Sequence, residues 1–283
     1  MRLALKFGYD GRAFHGFSRQ PGQRTVEGEI LRALEDIGVL GEGRSPRDID
    51  YGAASRTDAG VSAIGNVFAL DTAFRKGALL CALNACLGDI WFHSVAEVPD
   101  GFQPRQALQR WYRYHLAPDE TGDYDALRNA LRLFVGTHDF TNFCRPEGKC
   151  AVRTIRKLRV RRSGPFITAD IFSQGFLWNQ VRRIMGAALG VSRGELKVKE
   201  VKTALDRPEK RADLGLAPPE PLVLMDAVYD VEFEKDHRAL ELVRRQLQKK
   251  RKDAMGTMLL ASYISPATGT SPSGGRRPSN PPR

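Results

Sequence analysis

Asp48-Ile49-Asp50-Tyr51-Gly52-Ala53-Ala54-Ser55-Arg56-Thr57-Asp58-Ala59-Gly60-Val61-Ser62-Ala63-Ile64-Gly65-Asn66-Val67-Phe68-Ala69-Leu70-Asp71 is the stretch on which the organisation of the chain turns. Its ends, 48–55 and 66–71, read as two strands, joined through Asp58-Ala59-Gly60, a good turn sequence in its own right. Upstream, Leu3, Leu5 and Phe7 alternate with Ala4 and Lys6, the period of a half-buried strand over 2–9. Between these strands, Val26, Ile30, Leu31, Leu34 and Ile37 fall at helical spacing, with Thr25 as N-cap and Glu27 and Glu29 in the first turn. Downstream, Leu79, Leu80, Leu83 and Leu87 mark a second helix, and Ile90–Val98 a last strand. The order is β-α-β-β-α-β, the ferredoxin-like unit.

The second half repeats that order without repeating residues. Trp111–Leu116 reads as a strand, and Leu127, Ala130, Leu131 and Phe134 as a helix. Arg153–Arg162 and Phe166–Phe172 form a hairpin around Ser163-Gly164-Pro165. A helix over Trp178–Leu189, a short one at Val198–Leu205 and a strand over Leu222–Phe233 complete the unit. The expected fold class is α+β: two ferredoxin-like units with merged antiparallel sheets and a central concave cleft between them. The units are assigned to 1–105 and 106–245. Residues 246–283 would hold the end of a charged helix and a tail. From about Pro266 that tail is Ser, Pro, Gly and Arg, too polar to bury a core, and is expected to be disordered.

Across 283 residues, 44 basic and 33 acidic side chains leave a net charge of +11, which points to a polyanionic partner. No apolar run reaches the eighteen or so residues of a membrane span, and the start carries no signal-peptide pattern, so a cytoplasmic protein is expected. The four cysteines, Cys81, Cys86, Cys144 and Cys150, lack zinc spacings. The five histidines share no ligand spacing either. No metal is expected.

Ser55-Arg56-Thr57-Asp58-Ala59-Gly60-Val61 resembles the Gly-Arg-Thr-Asp-Ala-Gly-Val signature of the TruA family of tRNA pseudouridine synthases. Ser55 replaces the usual Gly, and Ser62 stands where many members carry His. Further blocks follow in the family's order. Tyr9-Asp10-Gly11 with Phe14–Gln20 is similar to its first loop, and Thr25-Val26-Glu27-Gly28 to its first helix start. Arg110-Trp111-Tyr112-Arg113-Tyr114, Gly136–Phe143, Arg153-Thr154-Ile155 and Phe176–Gly186 resemble four more. Trp178 and Asn179 are variants of the archaeal-type branch.

The resemblance implies isomerisation of uridine to pseudouridine at positions 38 to 40 of the tRNA anticodon stem-loop, by a homodimer whose two subunits share the tRNA. It implies no cofactor: the reaction cleaves an N1–C1′ bond and makes a C5–C1′ bond without redox change. Asp58 would be the nucleophile, adding covalently to C6 or C1′ and leaving again. Arg182 would keep its carboxylate ionised, Tyr112 would stack on the target base, and Arg56 would fill the space the extruded uridine leaves. The alternating Lys157, Arg159 and Arg161, and Arg19 and Arg24 in the first loop, are candidate RNA contacts.

Two other readings are weaker. A pair of RRM-like binding modules shares the element order, but Gly65–Leu70 lacks the RNP1 pattern. A nucleotide-dependent enzyme would need a P-loop or a GxGxxG after a strand.

Overall fold

The computed structural model describes residues 1–41, 45–145, 147–148, 150–163 and 166–264. Gly164 and Pro165 of the expected hairpin turn, and the expected tail from Pro266 on, lie outside the described residues. The chain divides into two compact units. The first, Met1–Val243, carries the sheet; the second, Arg244–Arg283, is helical as far as it is described.

The strands are β1 (Arg2–Tyr9), β2 (Gly52–Ala53), β3 (Ser62–Asp71), β4 (Ile90–Val98), β5 (Gln109–Leu116), β6 (Gly136–Asp139), β7 (Val152–Ser163), β8 (Phe166–Ser173), β9 (Leu222–Val228) and β10 (Glu234–Lys235). The helices are α1 (Val26–Asp36), α2 (Lys76–Cys86), α3 (Pro118–Thr121), α4 (Tyr124–Arg132), α5 (Gln180–Ser192), α6 (Val198–Asp206) and α7 (His237–Ile264). All the strands belong to one sheet, ordered β10-β4-β1-β3-β9-β5-β8-β7-β6, with β2 attached to β3. Within each half the order is that of a ferredoxin-like unit: β4-β1-β3-β2, then β9-β5-β8-β7. The two sheets do merge, but the seam is parallel. Ser62 and Ala63 of β3 pair with Val223 and Leu224 of β9, so the merged sheet is mixed and not wholly antiparallel.

Alternation along the strands divides the core. Leu3, Leu5, Phe7, Phe68 and Leu70 point to the face that also packs Ile30, Leu34, Leu79 and Leu83 of the helices. Ala4, Val67, Ala69, Ala96 and Ala227 point the other way, into a small second core. Phe102, Tyr229, Val231 and Phe233 pack against it. This explains why the expected strand over Leu222–Phe233 stops at Val228. Tyr229, Val231 and Phe233 alternate because they lean on the second core, where a ladder would have produced the same pattern.

The expected strand 48–55 shrinks to Gly52–Ala53. Ser45 and Asp48 close a capping box around Pro46, and Asp50 sits in the left-handed region at φ 37°. Helix α5 starts at Gln180 and not at Trp178, because Asn179 is left-handed at φ 62°. Thr25 caps α1 as expected, its Oγ1 accepting from Gly28 N at 3.3 Å.

Candidate active site

Residues 54–61 leave the sheet as a loop because a side chain replaces the ladder. Asn66 Oδ1 accepts from Ser55 N at 3.2 Å, and its Nδ2 donates to Ser55 O at 3.0 Å. Arg110, buried on β5, closes the base of the loop. Its Nε donates to Ser55 Oγ at 3.0 Å, and its Nη2 to Ala54 O at 2.7 Å and Arg105 O at 2.9 Å. Its Nη1 donates to Gln174 O. Tyr9 and Thr57 hydroxyls meet at 2.8 Å, and Phe17 N donates to Thr57 O at 3.1 Å. The first loop can lie this close only because residue 11 is glycine: a Cβ there would sit 2.2 Å from Val61 O. Gly60 turns the loop at φ 84°, with no room for a Cβ against Pro219 Cγ at 2.8 Å.

This loop carries Asp58 into an open cavity of about 1140 Å³ lined from both halves, Tyr112 and Arg182 among its walls. Arg182, in the first turn of α5, donates from Nη1 to Asp58 Oδ2 at 3.1 Å. Its Nε donates to Ala217 O at 2.9 Å, while its own carbonyl accepts from Ala217 N at 3.0 Å. The guanidinium is therefore held on one side by backbone and spends its other edge on Asp58. Tyr112 presents its ring edge-on to Phe176, centroids 5.2 Å apart. Burial pushes its phenol up to about 12, against the opposing pull of Arg110 and Ser55, while Asp58 raises it further. Arg56 lines the same cavity and is exposed. Gln180, almost fully buried in the cavity wall, accepts from Leu177 N at 2.8 Å and leaves its Nε2 without a partner. Among the described residues no group of three or more His, Cys, Asp or Glu side chains could hold a metal ion.

The cavity thus holds a carboxylate with a guanidinium on one oxygen, an aromatic ring in its wall and an exposed arginine. Comparison with known proteins identifies the family. A family model described as tRNA pseudouridine synthase matches residues 130–230. "tRNA pseudouridine synthase A" of Pyrococcus abyssi (strain GE5 / Orsay) is 41% identical over 268 residues, covering 93% of this chain and 99% of that one. The chain belongs to the tRNA pseudouridine synthase A family. The proteins of the same name from Thermococcus sibiricus (strain DSM 12597 / MM 739) and Methanothermobacter thermautotrophicus (strain ATCC 29096 / DSM 1053 / JCM 10044 / NBRC 100330 / Delta H) are 40% and 35% identical, each covering 93% of this chain and 99% and 96% of theirs. These relatives are archaeal, in keeping with the archaeal-type branch expected from the sequence. A chain in the structure of an H/ACA RNP bound to a substrate RNA containing 2′-deoxyuridine is similar over 65% of this chain and 44% of that one. It has 16% identity and a TM-score of 0.33, too distant to add to the reading.

The enzyme is thus an isomerase of that family, and Asp58, Arg182, Tyr112 and Arg56 gather in its cavity. The other candidates do not. Arg19 and Arg24 lie in the first loop without lining the cavity. Arg24 is engaged by Asp89 at 2.9 Å, Glu29 at 3.4 Å and the Phe14 ring at 4.7 Å. Lys157, Arg159 and Arg161 pair with Phe172, Asp170 and Thr168, which in turn face Trp111, Arg113 and His115. Cross-strand partners share a face, and Tyr112 lies on the other one. These three cations are exposed, on the side of the sheet away from the cavity. Residue patterns did not single out the roles of Arg110 or Ala217. Arg110 stood within a quoted block, whereas Ala217 acts through its backbone and leaves no signal in the sequence.

Proposed function

We propose that this enzyme converts uridine to pseudouridine at positions 38 to 40 of the tRNA anticodon stem-loop, with Asp58 as nucleophile. The observation that carries the reading is the Asp58–Arg182 ion pair inside a cavity built by both halves. In this reading the Asp58 carboxylate adds to C6 of the uracil or C1′ of the ribose. The N1–C1′ bond breaks and the base turns. The C5–C1′ bond forms, C5 gives its proton to solvent, and the carboxylate leaves unchanged. Arg182 orients the attacking oxygen and balances the negative charge that returns to it. Tyr112 supplies a stacking ring and a neutral hydroxyl. Burial holds its phenol well above the ordinary range, so the hydroxyl enters the reaction in its neutral form.

Arg56, exposed in the cavity wall, is read as the group that fills the vacancy left by the extruded uridine. Lys157, Arg159 and Arg161, facing away from the cavity, would serve phosphates remote from the target, with Arg19 and Arg24 nearer to it. Residues 1–105 and 106–245 are read as the two ferredoxin-like units, and the active form as a cytoplasmic homodimer sharing one tRNA.

The test is tritium release from uracil-5-labelled tRNA by wild type and Asp58→Asn. The Asn variant should fold and bind tRNA yet release no tritium, since an amide cannot form the adduct. Turnover above about a thousandth of wild type would move the chemistry to another residue.

A further inference from the structure

Trp178 stands out on the cavity wall. It is 42% exposed, although it directly follows buried Leu177, and Gln180, two residues on, is buried again. A solvated indole at this place has no core to serve, yet it is fixed in position. Arg145 N donates to Trp178 O at 2.9 Å, forming an isolated bridge between two loops. The Arg145 guanidinium lies over the ring, 4.3 Å from its centroid. Asn179, left-handed at φ 62°, turns the chain into α5 immediately after it. The neighbouring cavity wall is cationic, with Arg56, Arg105, Arg145 and Arg153 against the single carboxylate of Glu147 besides Asp58.

We propose that Trp178, backed by Arg145, is a stacking subsite for an unpaired nucleobase of the substrate RNA next to the target uridine. The proposal rests on the reading of the cavity as an RNA-modifying site and adds to it a second base-binding position. Three features select this occupant. An exposed indole matches the π-face that every nucleobase carries. The Arg145 guanidinium, 4.3 Å from the ring centroid, fixes the indole and places a cation beside it for the adjoining phosphate. The cavity, at about 1140 Å³, exceeds the range of roughly 300 to 1,000 Å³ usual for a small ligand, leaving space beside one extruded nucleotide for a neighbour. A base pulled from its helix leaves its neighbours unstacked, and an aromatic platform at the mouth would offset that loss.

The experiment couples the protein to the RNA. Equilibrium binding is measured for wild type, Trp178→Ala and Trp178→Phe. The ligands are an anticodon stem-loop and copies of it in which each base flanking the target is removed in turn. Trp178→Ala should weaken binding about 5- to 150-fold, and Trp178→Phe should recover most of the loss. One abasic position should cost wild type a similar factor and cost Trp178→Ala almost nothing, because both changes break the same contact. Undiminished binding by Trp178→Ala, or an abasic loss that adds in full to the loss from Trp178→Ala at every position, overturns the subsite. So does a Phe variant as weak as Ala when both melt at the wild-type temperature. Binding is read without turnover, so the subsite and the isomerisation fail separately. Wild type that couples to a base but releases no tritium refutes the activity alone, and wild type that binds no RNA refutes both.

Discussion

Removing the guanidinium from the Asp58–Arg182 pair should disable the enzyme while leaving its grip on tRNA nearly intact. Arg182 Nη1 stands 3.1 Å from Asp58 Oδ2, and the two side chains are 14% and 21% exposed. At an effective dielectric near 20, unit charges at that separation attract by about 5 kcal/mol, and partial solvation brings the net value lower. Truncating one partner of a largely buried pair typically costs about 3 to 5 kcal/mol. Taking about 3 kcal/mol as the part felt by the reacting carboxylate, Arg182→Ala should slow the chemical step about 150-fold. Arg182→Lys keeps the charge, but one ammonium cannot reproduce both the Nε bond to Ala217 O and the Nη1 bond to Asp58. A loss of about tenfold is expected for it. The assay is single-turnover tritium release at saturating enzyme, with filter binding in parallel. An Arg182→Ala rate within threefold of wild type would refute the reasoning. A loss that vanishes at higher enzyme concentration would also do so, because it would put Arg182 in RNA binding.

Other expectations follow from named groups. Tyr112→Phe should retain most activity if ring stacking is what matters, whereas Tyr112→Leu should lose roughly 1 to 3 kcal/mol of base affinity; an inert Phe variant would transfer the weight to the hydroxyl. His93 is held neutral, its pKa lowered first by burial and further by Lys6 and Lys235, against the opposing pull of Ile64 O and Asp226. Its folded pKa lies below the ordinary value of 6.5, so its stabilising contribution is complete above that pH and is lost as the pH falls below it. Melting curves from pH 7 down to pH 5 should therefore drop more steeply for wild type than for His93→Gln; parallel curves would contradict this. Neutralising Lys157, Arg159 or Arg161 should lower affinity for all substrate tRNAs alike and make the salt dependence shallower by up to about 0.9 per phosphate contact. An unchanged slope would free that face of the sheet from RNA.

Much of the fold was legible because the period of the apolar residues is set by which face they bury. β4 falls at Ile90–Val98 as read, and α1 is capped by Thr25. The misreadings share one cause: a side chain or backbone feature doing what a ladder or helix turn usually does. Asn66 takes the place of a strand partner for Ser55, and Tyr229, Val231 and Phe233 alternate against a second core instead of within a sheet. β6 pairs with β7 over four residues, too few to show a period. At the site, the identities of Asp58, Tyr112 and Arg182 were available only through family resemblance. Asp58 and Arg182 lie 124 positions apart, and nothing in the sequence signals that they meet. Nor does sequence spacing reveal that Lys157, Arg159 and Arg161 face away from Tyr112, because face is decided by register across β5, β8 and β7.

The seam explains why two similar units make one site. β3 of the first half abuts β9 of the second, and β9 lies beside β5. The loop that precedes β3 carries Asp58, β5 carries Tyr112, and α5 carries Arg182. The first half thus supplies the carboxylate, while the second supplies its counterion and an aromatic ring of the same cavity. Arg110 ties the two together, reaching from β5 to Ala54 and Ser55 at the root of the Asp58 loop. Either half alone would hold a carboxylate without a partner or a guanidinium without a target. Merging through a parallel seam brings the carboxylate and the guanidinium to 3.1 Å while leaving the cavity open toward a substrate too large to be enclosed.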